Sequence, residues 1–90
     1  MPFVLICHDK PGALQIRIDN RAAHLAYIEA TGVVTLAGPF LDDAGKPTGS
    51  LVILDVPDMV AAEAWAAGDP YARSGLFGSV LVQAWRKVVG

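Results

Sequence analysis

Ser50-Leu51-Val52-Ile53-Leu54-Asp55-Val56 decides the fold. It is a strand whose two faces are both apolar. Successive side chains of a strand point to opposite sides. Leu51 and Ile53 therefore face one way, and Val52, Leu54 and Val56 the other. A sheet with one solvated face would alternate apolar with polar residues. Phe3 to Cys7 behaves the same way, with Phe3, Leu5 and Cys7 opposing Val4 and Ile6. Ser79 to Val89 sets Val80, Val82 and Ala84 against Leu81 and Trp85. Val33 to Ala37 is a further strand, ended by Gly38-Pro39.

Between the strands lie two helical segments. Leu14 to Ala30 carries Leu14, Ile18, Leu25 and Ile28 at helical spacing. Asp9 offers its N-cap, Lys10-Pro11-Gly12 opens it and Gly32 stops it. Met59 to Ala67 follows the cap Asp58 and stops at Gly68. Asp69-Pro70 begins a short helical turn that Gly75 ends, and Leu41 to Gly49 is a turn-rich loop. The order is β-α-β-β-α-β, the split βαβ pattern of a ferredoxin-like α+β fold. Two helices cover one face of a four-stranded antiparallel sheet, so the second apolar face needs another cover. A second copy of the sheet is the economical one, which implies a sheet-to-sheet homodimer, with higher assembly left open.

Composition bounds the function classes. Ninety residues make one domain near the small end of what folds unaided. A 53% hydrophobic content excludes intrinsic disorder. A net charge of −2 leaves no basic patch for nucleic acid. No apolar run is long enough to span a bilayer, and the N-terminus lacks the pattern of a signal peptide. The lone Cys7 cannot form an internal disulfide, and a reducing cytoplasm is the simplest home. No Cys/His cluster has zinc-ligand spacing, and no glycine motif implies a nucleotide. Neither a metal nor a cofactor is expected.

The helix Leu14–Ala30 has one anomaly. Wound at ~100° per residue, it places Arg21 near the middle of its apolar stripe, with Arg17 and His24 along the edge. A guanidinium aimed into a dry core without a partner costs several kcal/mol. Either this face borders a wet cavity, an anion or a buried carboxylate, or the arginines snorkel to water along an apolar surface.

The chain resembles the YciI-like (YCII-related) family. The likeness runs from Cys7-His8-Asp9-Lys10-Pro11-Gly12 through Arg21-Ala22-Ala23-His24-Leu25-Ala26-Tyr27, Leu36-Ala37-Gly38-Pro39 and Gly49-Ser50 to Asp69-Pro70-Tyr71-Ala72-Arg73-Ser74-Gly75-Leu76-Phe77. The resemblance implies a dimeric α+β barrel. It also implies a site built on a histidine and an aspartate, which carry over to His24 and Asp69. One activity in that family is dehydrochlorination of a chlorinated hydroxyhydroquinone.

His24 is the best acid-base candidate, since an ordinary imidazole titrates near neutrality. Asp69 has two open roles: partner of that imidazole, or N-cap before a helical proline. Both roles can coexist, with one oxygen for each. Arg21 and Arg17 are candidates to hold an anionic oxygen, with ion pairs to Asp19, Glu29 or a partner chain as the alternative for Arg17. Ser50 offers a hydroxyl at the mouth of its strand, and Tyr71 a ring to close a pocket. His8 is assigned to loop surface, Cys7 to a small buried hydrophobe, and Trp65 and Trp85 to core and dimer-interface anchors. Three functions fit these residues. The first is a cofactor-independent acid-base enzyme of lyase, isomerase or dehydrohalogenase type, acting on a small polar or aromatic molecule. The second is a non-catalytic ligand-binding or accessory module, and the third a cofactor-less oxygenase, which rests on fold analogy alone.

Overall fold

A computed structural model describes residues 1–90. The elements follow in the order β1 (Pro2–Asp9), α1 (Leu14–Thr31), β2 (Val34–Leu41), β3 (Pro47–Asp55), α2 (Met59–Gly68), α3 (Pro70–Arg73) and β4 (Phe77–Ala84). The strands form one antiparallel sheet in the order β2-β3-β1-β4. The apolar strands β3 and β1 are thus the two central strands, hydrogen-bonded along both edges.

The core lies between the sheet and α2. Phe3, Leu5 and Cys7 of β1 meet Val52 and Leu54 of β3, and Ala62 and Trp65 of α2 cap them. Asp58 caps α2 as expected, its carboxylate accepting from the Ala61 amide at 2.9 Å. Gly32 ends α1 in the left-handed conformation (φ 65°), where its amide reaches the Ile28 carbonyl. Gly68 has a different reason to be glycine. It is the last residue of α2, and a β-carbon there would strike the Tyr27 hydroxyl.

Several boundaries depart from expectation. The last strand ends at Ala84 rather than Val89. β4 has only β1 for a neighbour, and β1 runs out: Phe3 pairs with Ala84, and the Trp85 amide bonds the Pro2 carbonyl. Beyond that point no backbone remains to pair with. The second strand does not stop at Gly38-Pro39 but continues to Leu41, because β2 is an edge strand and an edge tolerates a missing N–H. β3 starts at Pro47, so the connecting loop shrinks to residues 42–46. Asp42 organises it, one oxygen accepting from the amides of Ala44 and Lys46.

Asp9 is not the N-cap of α1. Ala13 holds that position and makes no side-chain cap bond. Residues 3, 5 and 7 of β1 point toward the helices, and the strand extends through Asp9, whose carboxylate follows them inward. His8 lies in the strand rather than a loop. It is exposed on the opposite side, stacked on Phe40 with ring centroids 5.7 Å apart.

The face away from the helices carries Val4 and Ile6 of β1, Leu51 and Ile53 of β3, Leu36 of β2 and Leu81 of β4, as the pairing register dictates. Leu36 is 61% exposed and Leu81 50%. Within one chain Ile53 is buried on this face, while Leu36 and Leu81 are left uncovered.

Cys7 is buried at the centre of the core. Burial pushes its thiol up to about 12 from 9.0; the negative charge of Asp69 adds to this and Arg17 opposes it. Burial also raises Tyr27 and Tyr71, with the Asp69 charge acting in the same direction. The folded state therefore holds these protons more tightly than the unfolded chain. That contribution to stability is fully present below about pH 9 and is lost as pH rises toward about 12. Denaturant titrations across that interval should show falling stability, and Cys7→Ala should remove part of the slope. At pH 8 the native thiol should react with iodoacetamide far more slowly than the thiol in urea-unfolded protein. Equal rates would contradict its burial.

Candidate functional site

The two buried residues of α1 are both polar: Arg17, 6% exposed, and His24, 7%. They lie seven positions apart, two turns along one face. Each is matched by a carboxylate behind it. Arg17 Nε donates to Asp9 Oδ2 at 2.8 Å, and its terminal nitrogen donates to Asp9 Oδ1 at 2.9 Å and to Ser50 Oγ at 3.0 Å. This is a two-pronged guanidinium–carboxylate pair, the geometry in which such bonds are strongest. Burial works against the Arg17 charge, but the Asp9 hydrogen bonds and charge outweigh it and leave the guanidinium more firmly protonated than usual.

His24 Nδ1 lies 2.7 Å from Asp69 Oδ1. The same oxygen accepts the Tyr71 amide at 3.0 Å, so Asp69 is at once the partner of His24 and the cap of α3. Both roles coexist, but on one oxygen rather than on two. The Tyr71 ring lies parallel to the imidazole, centroids 3.9 Å apart, and the Arg17 guanidinium sits 4.8 Å from its centroid. Tyr71 thus wedges between the two buried side chains of α1 and holds the imidazole plane. No buried side-chain nitrogen or oxygen lacks a partner. With Nδ1 engaged and no protein group bonded to Nε2, Nε2 is the nitrogen that faces open space.

That space is a cavity of about 410 Å³ between α1 and the inner face of β2 and β3, within the ~300–1,000 Å³ usual for small-molecule sites. Arg17, Arg21, His24, Ser50 and Tyr71 form its polar wall; Ile18, Leu25, Ile28 and Val52 contribute to the apolar one. All six candidates from the sequence are accounted for, five at the cavity wall and Asp69 directly behind His24. The placement of the arginines is reversed. Arg21 is exposed at the cavity mouth, and Arg17 is the buried one. Ser50 is buried rather than at a strand mouth, and accepts from Arg17. Trp65 is core, as expected; its indole donates to Thr31 Oγ1 and its carbonyl accepts from Tyr27. The residue missed is Asp9. Its signal was the parity of β1, which points residues 3, 5, 7 and 9 to one side.

No helix is long and apolar enough to cross a membrane, and no three His, Cys, Asp or Glu side chains cluster as metal ligands do.

Fold and site together define a class: an α+β chain of β-α-β-β-α-β topology, with a buried His–Asp pair beside a cavity under its first helix. Residues 1–86 match the YCII-related domain, and the chain belongs to that family. Protein YciI of Escherichia coli O6:H1 is 36% identical over 97 residues, covering 98% of this chain and 99% of that protein. The solved structure of 5-chloro-2-hydroxyhydroquinone dehydrochlorinase (TftG) from Burkholderia phenoliruptrix AC1100, in complex with 2,5-dihydroxybenzoquinone, is also similar. Its TM-score is 0.87 at 36% identity, covering 96% of this chain and 94% of that one. An antibiotic biosynthesis monooxygenase shares the fold, with a TM-score of 0.55 at 15% identity over 96% of this chain and 98% of that one.

The Arg17–Asp9 pair predicts a stability pattern. Asp9→Asn should destabilise the chain by about 3–5 kcal/mol, because a buried guanidinium loses its counter-charge. Replacing both members together, Asp9→Leu with Arg17→Met, should recover most of that loss. Urea denaturation of the single and double variants checks this, and additive losses would contradict the pairing.

Proposed function

We propose that this chain is a cofactor-independent acid-base enzyme of the lyase, isomerase or dehydrohalogenase type. Its substrate is a small polar or aromatic molecule held in the cavity under α1. The observation that carries this reading is the buried Nδ1–Asp69 bond, which leaves Nε2 at the cavity. Nε2 takes a proton from the bound molecule. Asp69 keeps Nδ1 protonated and steadies the imidazolium that forms, while the Tyr71 ring fixes the imidazole plane. In a dehydrochlorination, the electron pair left by that proton becomes a new π bond, and chloride leaves with the carbon–chlorine pair. The imidazolium then returns its proton to water, and the net loss is HCl. The 36% identity to a dehydrochlorinase supports this reaction type over other acid-base chemistry.

The test is chloride release from 5-chloro-2-hydroxyhydroquinone, followed without oxygen because such phenols autoxidise. The wild type should turn it over. His24→Ala should lose roughly 10²–10⁴-fold in rate, the usual worth of a positioned acid-base group, and Asp69→Asn should lose rate while still binding 2,5-dihydroxybenzoquinone. Ligand binding without turnover would defeat the enzyme reading and leave a ligand-binding module.

The working form, on this proposal, is a homodimer packed sheet to sheet. It is supported by the apolar outer face, where Leu36 and Leu81 stand exposed in the single chain. Sedimentation equilibrium at micromolar concentration should give twice 9.5 kDa or a multiple of it. A mass of one chain would overturn it.

A further inference from the structure

The cavity wall contains no carboxylate. Its charged and titratable members are Arg17, Arg21, His24 and Tyr71. The two acids of the neighbourhood, Asp9 and Asp69, stand behind Arg17 and His24 and are turned toward them. Arg17 is thereby neutralised as a pair, and so is an imidazolium at position 24. Arg21 is different. The chain's ion pairs join Met1 to Asp55, Arg17 to Asp9 and His24 to Asp69, and Arg21 takes part in none. Its guanidinium forms no hydrogen bond to a protein group, yet it lines the cavity. Its charge also reaches inward, since it helps hold down the Tyr71 phenol against the effect of burial.

Arg21 has aliphatic neighbours along the helix, beside Arg17 and His24 on the same cavity wall. Ile18 and Leu25, one turn before and one turn after it on α1, line the same cavity and are exposed at 57% and 47%. His24 lies three positions on, with ~5–6 Å between the two β-carbons. A ligand that enters this mouth therefore meets aliphatic side chains, one unmatched guanidinium and the free nitrogen of the imidazole. A guanidinium flanked by apolar walls attracts an anion more strongly than one in open water, because the local dielectric is lower.

We infer that Arg21 forms an anion subsite at the cavity mouth, so that the site takes flat organic anions, such as phenolates, enolates or small aromatic carboxylates, in preference to their neutral isosteres. The anionic oxygen sits on the Arg21 guanidinium, and the ring packs on Ile18 and Leu25 with its other edge toward His24 Nε2. This rests on the reading of the cavity as a ligand site. It adds the charge of the ligand and the residue that selects for it.

The test compares 4-nitrophenolate with 4-nitroanisole, which has the same ring and nitro group but cannot ionise. Both are titrated into the full chain at one fixed pH above the ionisation of the phenol, by calorimetry and by the nitrophenolate absorption band. The phenolate should bind about ten- to a hundredfold more tightly, the worth of one charge-assisted hydrogen bond. Added salt should weaken the phenolate alone. Arg21→Gln removes the charge and keeps a shorter polar side chain; it should abolish the preference and leave nitroanisole affinity unchanged. Arg21→Lys should restore part of it. Equal affinities for the two ligands, binding of neither, or a preference that survives Arg21→Gln would overturn the inference. The two readings fail separately. Loss of the anion preference with turnover intact would remove the subsite alone. Anion binding through Arg21 without any turnover would remove the enzyme and keep the subsite.

Discussion

The contact on which the site depends is the Arg17–Asp9 pair. An α-helix normally docks on a sheet through its apolar stripe. Here α1 buries a guanidinium and an imidazole instead, and leaves Ile18 and Leu25 exposed. That arrangement is stable only because each buried polar group has a fixed counterpart: Asp9 and Ser50 for Arg17, Asp69 for His24. The far end of the helix is tied differently, by the Tyr27 hydroxyl on the Trp65 carbonyl and by the Trp65 indole on Thr31. Long polar side chains at one end and an aromatic latch at the other leave room between α1 and the sheet that close aliphatic packing would have filled. The cavity is a consequence of how the helix is attached.

The same attachment sets the orientation of the imidazole. Asp69 is held by its place ahead of Pro70, where one of its oxygens accepts the Tyr71 amide. That bond orients the carboxylate before His24 contributes anything. Tyr71 then stacks on the imidazole from the element that Asp69 caps. Three consecutive residues, Asp69, Pro70 and Tyr71, therefore define which nitrogen of His24 is engaged and which is free. The short helix α3 is the device that turns a loop into a rigid support, and Gly75, at φ 80°, releases the chain into β4.

Much of this was legible in the sequence, and the rest was hidden for definite reasons. The strands read as apolar on both faces because one face packs on the helices and the other carries a second apolar surface that includes Leu36 and Leu81. The dyad was implied by the resemblance to the YciI-like family; from the residues alone, His24 was an acid-base candidate and Asp69 before proline read first as a helix cap. Asp9 was misread because a carboxylate just ahead of Lys-Pro-Gly looks like a helix cap. Its true direction depended on how far β1 extends, and local propensity does not fix that. The exchange of Arg17 and Arg21 has a related origin. An ideal helical wheel gives the stripe from apolar residues, but here the helix turned its polar edge inward, because Asp9 and Asp69 outweighed the aliphatic side chains. The end of β4 was set by the length of its neighbour β1, a property of pairing that the residues Trp85 to Val89 do not carry themselves.

The fold alone does not assign a function. A monooxygenase at 15% identity has the same architecture, and one scaffold hosts unrelated reactions when the side chains of its site differ. The cavity of this chain has a wall of cationic and neutral groups, and the carboxylates nearest to it are turned away, behind the residues they support. On the acid-base reading proposed above, that setting has a specific advantage. Asp69 would stabilise positive charge on the imidazole without standing in the cavity, where it would repel a substrate that becomes negative as it loses its proton. Placing the acid behind the base, and an unmatched cation beside it, would let the site favour both halves of the charge separation that proton abstraction creates.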